Sequence, residues 1–277
     1  MNNKMKALDI IIPVHKFNEE VSLLLKRSLT SVNEMADKAK SIGIEVDLYI
    51  VASPDVPNNI IENIEQPIGF RSFGIYDNKD GVYDFCSQVN YAVNNLCKND
   101  YFMVVEFDDI VTPKWVNMSL PYINERKKCP IFLPLVEAYD INNPTKPIHY
   151  INEIAWSSTF TENELGVLTI DALKDYCNFN ITGAIINKNS FVKAGGLKPS
   201  IKLSFGYELI LRLTNTFNES FVVPKVGYFH FVNREDSLTS EYYRTMTQEE
   251  GSWWIKLATE EYTYKKDRNK TYNPDNE

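Results

Sequence analysis

The sequence predicts an α/β fold, a mostly parallel sheet flanked by helices, and three observations carry that expectation. Short apolar runs alternate with longer segments of helical period through the first half of the chain. The first two runs, Leu8–Val14 and Val46–Ala52, are almost continuously apolar, as strands buried on both faces are. A third run, from Tyr101 to Val105, breaks into three carboxylates within four residues: Glu106, Asp108 and Asp109. A buried strand that empties into an acidic turn marks the place where open α/β sheets hold ligands, beyond the carboxyl ends of their strands.

The elements follow in order. After the strand 8–14, Asn18 is placed to cap a helix, Glu19 and Glu20 suit its first turn, and Gly43 stops it. Val21, Leu24, Leu25, Leu29, Val32, Met35, Ala36 and Ala39 keep a helical period between them. The second strand ends at Ser53-Pro54-Asp55. Asp84 opens a helix with Val89, Ala92, Val93 and Leu96 on one face. The acidic strand 101–107 comes next, and Thr112-Pro113 supplies a cap and a first-turn proline for another helix. From about residue 125 the pattern loosens. Ile131–Val136, Ile181–Asn187 and Phe221–Val223 read as strands, Ala194-Gly-Gly-Leu197 as a turn, Tyr207–Thr216 as a helix, and 246–262 as helix-like. No linker composition separates two domains, and no internal repeat is present.

Composition narrows the function classes. With 277 residues, 44% of them hydrophobic, the chain can bury a large core. The net charge of −8, with basic residues scattered along the chain, argues against a nucleic-acid partner. The densest basic run, Lys265–Lys270, lies in a polar C-terminal stretch expected to be mobile. No apolar run reaches membrane-spanning length, nothing reads as a leader, and four cysteines without CxxC spacing fit reduced thiols in a cytoplasm-like compartment. An acidic protein that takes an anionic ligand needs a local remedy. Acids at alternate positions, 106 and 108, can face one hard cation such as Mg²⁺ or Mn²⁺.

Four places in this order resemble the GT-A glycosyltransferases, specifically the large inverting family called family 2, over roughly residues 7–240. They are Asp9-Ile-Ile-Ile-Pro-Val-His15, Asn90, Glu106-Phe-Asp-Asp109, and the stretch Gly183–Gly196 followed by Glu208-Leu-Ile-Leu-Arg-Leu213. The resemblance implies one domain, 1–245, with a donor half at about 7–115 and an acceptor half at about 116–240, followed by a helix and polar tail, 246–277. It implies a nucleotide-sugar donor, a UDP-sugar most often, and a glycan or other hydroxyl acceptor. Asp108 then becomes the central metal ligand, with Glu106, Asp109 and His230 assisting. Pro13, His15, Asp55, Asn90 and Arg234 become donor contacts, and the segment 229–239 a lid over the phosphates.

Two departures matter. The first acid of the family's Asp-x-Asp-Asp is Glu106 here, and the positions of its Glu-Asp base pair hold Phe205 and Gly206. Glu208 is the nearest acid and is assigned as general base, against the alternative of an i,i+4 partner of Arg212. A GT-A-fold binding protein without transfer activity is the rival reading. A nucleotidyltransferase is disfavoured because Pro13–Asn18 contains no glycine for a phosphate loop. Trp156, Trp253 and Trp254 could stack on a sugar ring or an acceptor, but the adjacent Trp253 and Trp254 suit packing or an oligomer contact better.

Overall fold

The structure, a computed structural model, describes residues 5–54, 56, 70–75, 85–160 and 164–274. Its described strands form one ten-stranded sheet in the order β3 (Phe70–Ile75), β2 (Glu45–Ala52), β1 (Ala7–Val14), β4 (Tyr101–Val104), β9 (Ile185–Asn187), β6 (Ile131–Asp140), β10 (Ser220–Val232), β5 (Ile110–Val111). Two short strands join from the side: β7 (His149–Ile151) on β6 and β8 (Val167–Leu168) on β10. The pairings β1–β2, β2–β3, β1–β4 and β6–β10 are parallel. β9 runs antiparallel to both β4 and β6, so six strands still point the same way.

Helix α1 (Glu19–Lys40) forms as its sequence requires. Asn18 Oδ1 accepts from Val21 N at 2.8 Å, and Gly43 follows the helix at φ +82°. Its apolar stripe buries Val21, Leu25, Val32 and Met35 on one face of the sheet, beside α3 (Trp115–Glu125) with Trp115, Val116 and Ile123. The other face carries α2 (Phe85–Asn95), α5 (Lys188–Ala194), α6 (Phe205–Phe217) and α8 (Gln248–Glu261) around Val89, Phe191, Leu209, Leu213 and Ala258. Short helices α4 (Ile170–Asp175) and α7 (Leu238–Thr245) complete the described set.

Because β1 has β2 on one side and β4 on the other, the chain reverses its direction of travel across the sheet there, and a crevice opens beyond their carboxyl ends. Pro13 belongs to this opening. Ile11 faces β4, since its carbonyl accepts from Val105 N at 3.0 Å. Pro13, two residues on, turns its missing N–H to the same side, where β4 has already left the sheet.

Several elements differ from the sequence expectation. β4 stops at Val104, three residues short, because the acids cannot continue a buried ladder. The strand expected at 181–187 begins only at Ile185, since Gly183 at φ +71° turns the chain. The strand expected to end at Val223 continues to Val232, with irregular register between Val222 and Tyr228 absorbing Pro224. α3 is preceded by Lys114, and Thr112 Oγ1 bonds Val226 O instead of capping it.

The C-terminal helix is part of the body. Trp254 is buried with Ile201 and Leu257 and meets Trp253 edge-on, and Asp267 bonds Ser200 N at 3.1 Å while Arg268 and Lys270 pair with Glu261. The basic stretch expected to be mobile is thus held by its own charges. Trp156 is likewise structural, donating to Val222 O at 2.8 Å.

Gly227 sits in a tight contact: a Cβ there would lie 2.5 Å from the Trp115 ring and 2.8 Å from Pro134 Cβ. Gly227→Ala should therefore destabilise the fold by about 1–3 kcal/mol through overpacking, read as a lower urea midpoint at unchanged slope. An unaltered midpoint would show that the Trp115 contact is soft.

Candidate active site

Beyond Val104 the chain leaves the sheet and closes a turn, Asp109 N donating to Glu106 O at 3.1 Å. Helix α1 holds this turn from one side. Ser28 Oγ donates to Glu106 O at 3.1 Å, Arg27 donates to Asp108 O, and Ser31 Oγ accepts from Val111 N at 3.2 Å. Strand β10 holds it from the other. Glu106 N donates to the Tyr228 hydroxyl at 2.9 Å, and the fully buried Asp109 accepts from Phe231 N at 2.8 Å. The second Asp109 oxygen lies 2.8 Å from His230 Nδ1, and Asp108 Oδ2 lies 3.1 Å from Arg234 Nε.

Three acids in so small a space cannot all remain ionised cheaply. Burial, reinforced by Asp109, pushes Glu106 up to about 8 and Asp108 up to about 6. Burial alone would lower His230, but Asp109, with Glu106 and Asp108 behind it, holds it up at about 10, which favours the imidazolium. The ligand atoms of Glu106, Asp109 and His230 lie within 4.8 Å of one another. Two carboxylates and one imidazole suit Mn²⁺, and a cation there would compete with protons for the same ligand atoms. Asp108, expected as the central ligand, is instead turned to Arg234, while Glu106, expected as an auxiliary, belongs to the cluster.

The crevice mouth is lined by β1 and the segment after β10. Lys16 Nζ donates to Asp236 O at 2.8 Å and pairs with its carboxylate, which also pairs with Arg234. The Arg234 guanidinium lies 5.0 Å over the Phe107 ring, and His15 meets the same ring edge-on at 5.5 Å. Burial, with Lys16 and Arg234 nearby, lowers His15 to about 4, so it is neutral. His15 and Arg234 are therefore brought together with the acids, as the sequence reading expected, and Pro13 shapes the opening.

Two other assignments are corrected. Asn90 clamps a turn: its Oδ1 accepts from Leu197 N and its Nδ2 donates to Leu197 O, both at 2.8 Å, and Gly196 at φ +75° lies against it. Glu208 is fully buried, with its oxygens bidentate to Arg212 at 2.9 and 2.8 Å and with Lys198 Nζ at 2.8 Å. Arg212 also donates to Gly196 O at 2.7 Å, so the triad ties α6 to the Gly195-Gly196 turn. A general base must reach an acceptor hydroxyl; this carboxylate is sealed and occupied by two cations. Asp55 and Asp84 lie outside the described residues.

Sequence reasoning missed Arg27, Ser28, Ser31, Lys16, Tyr228 and Asp236. The α1 residues sit on a helix face that looks solvated in one dimension, and nothing local marks that a turn some eighty residues later rests on it.

The sheet and its flanking helices form a GT-A fold, mostly parallel and α/β. Neither a protein-family model nor a curated protein sequence matches the chain. Among solved structures it is similar to S. aureus TarS. Against the TarS 1–349 fragment in complex with UDP-GlcNAc, the TM-score is 0.62 at 12% identity over 91% of this chain. Against the same fragment with UDP it is 0.59 at 11% identity over 93%. The chain spans 65% of the first of these and 44% of a longer TarS chain.

The Glu208 triad yields a direct expectation. Glu208→Ala strands Lys198 and Arg212 as buried, unpaired cations and should cost about 3–5 kcal/mol of unfolding free energy, measured by urea denaturation. Full stability with lost turnover would restore the catalytic assignment.

Proposed function

We propose that this chain is a metal-dependent glycosyltransferase that draws on a nucleotide-diphosphate sugar, in the manner of the inverting family 2. One observation carries the reading: on a GT-A sheet, the acids after β4 converge with His230 and Arg234 from β10 and its exit, in the crevice between β1 and β4. Glu106, Asp109 and His230 would hold the cation, Mn²⁺ in preference to Mg²⁺ because of the imidazole. When bound, that cation supplies Lewis-acid neutralisation of the diphosphate leaving group. Arg234 and Lys16, now paired with Asp108 and Asp236, would transfer their charge to the phosphates. His15, held neutral and braced edge-on against Phe107, offers an uncharged ring at the end of β1, suited to a nucleoside. The UDP-GlcNAc and UDP complexes of the TarS fragment support a UDP-sugar as the donor.

A second reading has a specific observation in its favour. Glu208 is locked, and Phe205 and Gly206 occupy the positions where the resembled family keeps its base. A protein with this geometry could hold a nucleotide sugar without transferring it. UDP release from a panel of UDP-sugars, UDP-GlcNAc included, with Mn²⁺ separates the two. Turnover above the protein-free rate supports the enzyme; tight binding without release supports the binding protein.

Calorimetric titration of UDP should show an affinity gain with Mn²⁺ that falls by about 10–100-fold in Glu106→Gln. In Asp108→Asn the loss should be smaller and independent of the metal, because that carboxylate holds Arg234. An unchanged Mn²⁺ effect in Glu106→Gln would exclude the cluster as the metal site.

Hydrogen exchange gives a further check. Residues 229–239 should gain protection when UDP and Mn²⁺ are added together, as Arg234 and Lys16 exchange carboxylates for phosphates. No change at saturating ligand would remove Arg234 from the donor site.

A further inference from the structure

Next to the acidic crevice lies a group of aromatic rings that neither hydrophobic core absorbs. In the ladder, Phe229 of β10 is level with Glu137 of β6, which is level with Tyr150 of β7; one row further on, Phe231 is level with Tyr139. Side chains level with one another in a sheet, or two apart along a strand, share a face, so these five residues project together. The rings touch: Tyr139 meets Phe229 edge-on at 5.6 Å and stacks on Phe231 at 5.8 Å. Tyr150 is 45% exposed, and its neighbour Ile148 is 50% exposed. A single carboxylate is set among them, Glu137, which accepts the Tyr139 hydroxyl at 2.7 Å.

This face lies on the opposite side of β10 from His230 and joins the site already described through the backbone and through Arg27. Phe229 and Phe231 flank His230 in sequence, and the Phe231 amide bonds Asp109. On its other side Phe231 carries the Arg27 guanidinium, 4.0 Å from the ring centroid, and Arg27 reaches the Asp108 carbonyl. The layers therefore run from the acidic turn through Arg27 and Phe231 to Tyr139. They are anchored at the crevice end and open at the Tyr150 end.

Resting on the glycosyltransferase reading, which requires an acceptor beside the donor crevice, we propose that Tyr139, Tyr150 and Phe229 form the acceptor platform and that its occupant is a pyranose ring. A pyranose has one face of C–H groups, which packs on aromatic rings, and a rim of hydroxyls, which needs an acceptor among those rings. Glu137 supplies that acceptor. A purely apolar partner would desolvate the Glu137 carboxylate with only the Tyr139 hydroxyl to offset the cost, which disfavours a hydrophobic protein surface as the occupant.

The test is saturation-transfer NMR on the full chain with methyl β-glucopyranoside, methyl α-galactopyranoside and methyl N-acetyl-β-glucosaminide, and with sorbitol as a polyol lacking a ring face. UDP titrations are run in parallel. The expected result is saturation of one ring face of at least one pyranoside, none of sorbitol, and no displacement by UDP. That signal should fall about fivefold in Tyr150→Ala and in Tyr139→Ala and persist in Tyr139→Phe, which keeps the ring. The proposal is overturned if no pyranoside is saturated, if the signal survives both alanine variants, or if UDP displaces it. It is also overturned if sedimentation shows a self-associated chain that becomes monomeric in Tyr150→Ala, which would make the face a contact between copies. UDP titration keeps the two readings separable, because loss of UDP binding by the unmodified chain counts against the donor site alone.

Discussion

The structure turns on a single buried carboxylate. Asp109 has no exposure to water, and its two oxygens are satisfied by the Phe231 amide and the His230 ring. An unpaired charge at that depth would be prohibitive, so β10 has to extend far enough to deliver both partners, and it does so as a strand of 13 residues. The same pairing sets the neighbours. Glu106 is pressed against Asp109, which with burial raises its pKa, Asp108 turns to the buried Arg234, and Arg27 of α1 lies close enough to feel both aspartates. The acidic turn is a junction through which α1, β4 and β10 share one charge balance.

How much of this could be read in one dimension depended on the range of the forces involved. Strands β1, β2 and β4 and helix α1 were legible because continuous apolar runs, a capping asparagine and a stop glycine are local signals, whereas β3 and β5 were not read. The acids were legible because a run of carboxylates after an apolar stretch is unusual. Partner choice was not. Glu208 and Arg212 are four apart on a helix, and that pairing was visible as an alternative; the sealing of the pair by Lys198 depends on the Gly195-Gly196 turn and on α8, which no local pattern reports. Asn90 was misread for the same reason, since its bonds run to a turn over a hundred residues away. The strand expected at 221–223 was read too short, because irregular register between Val222 and Tyr228 carries it past Pro224.

The cations at the crevice mouth already have partners. Arg234 shares Asp108 and Asp236, and Lys16 shares Asp236. Any anion that enters must outbid carboxylates held in place by the fold, so its net gain is the difference between two sets of charge-assisted bonds. Such a site discriminates by valence: a monoanion gains little over Asp236, whereas a diphosphate brings more charge and more acceptor oxygens to the same two cations.

The Lys198 ammonium, sealed against Glu208, also donates to the Glu261 carbonyl in the last turn of α8, at 2.6 Å. During vectorial synthesis α6 leaves the ribosome well before α8 does. Until Glu261 arrives, the cationic part of the cluster lacks one acceptor and the α6 face lacks the cover of Trp254 and Ala258. The interior beside α6 therefore cannot close until α8 has been made. A chain cut before α8 would keep every residue of the acidic crevice and still lack the element that finishes the core beside it.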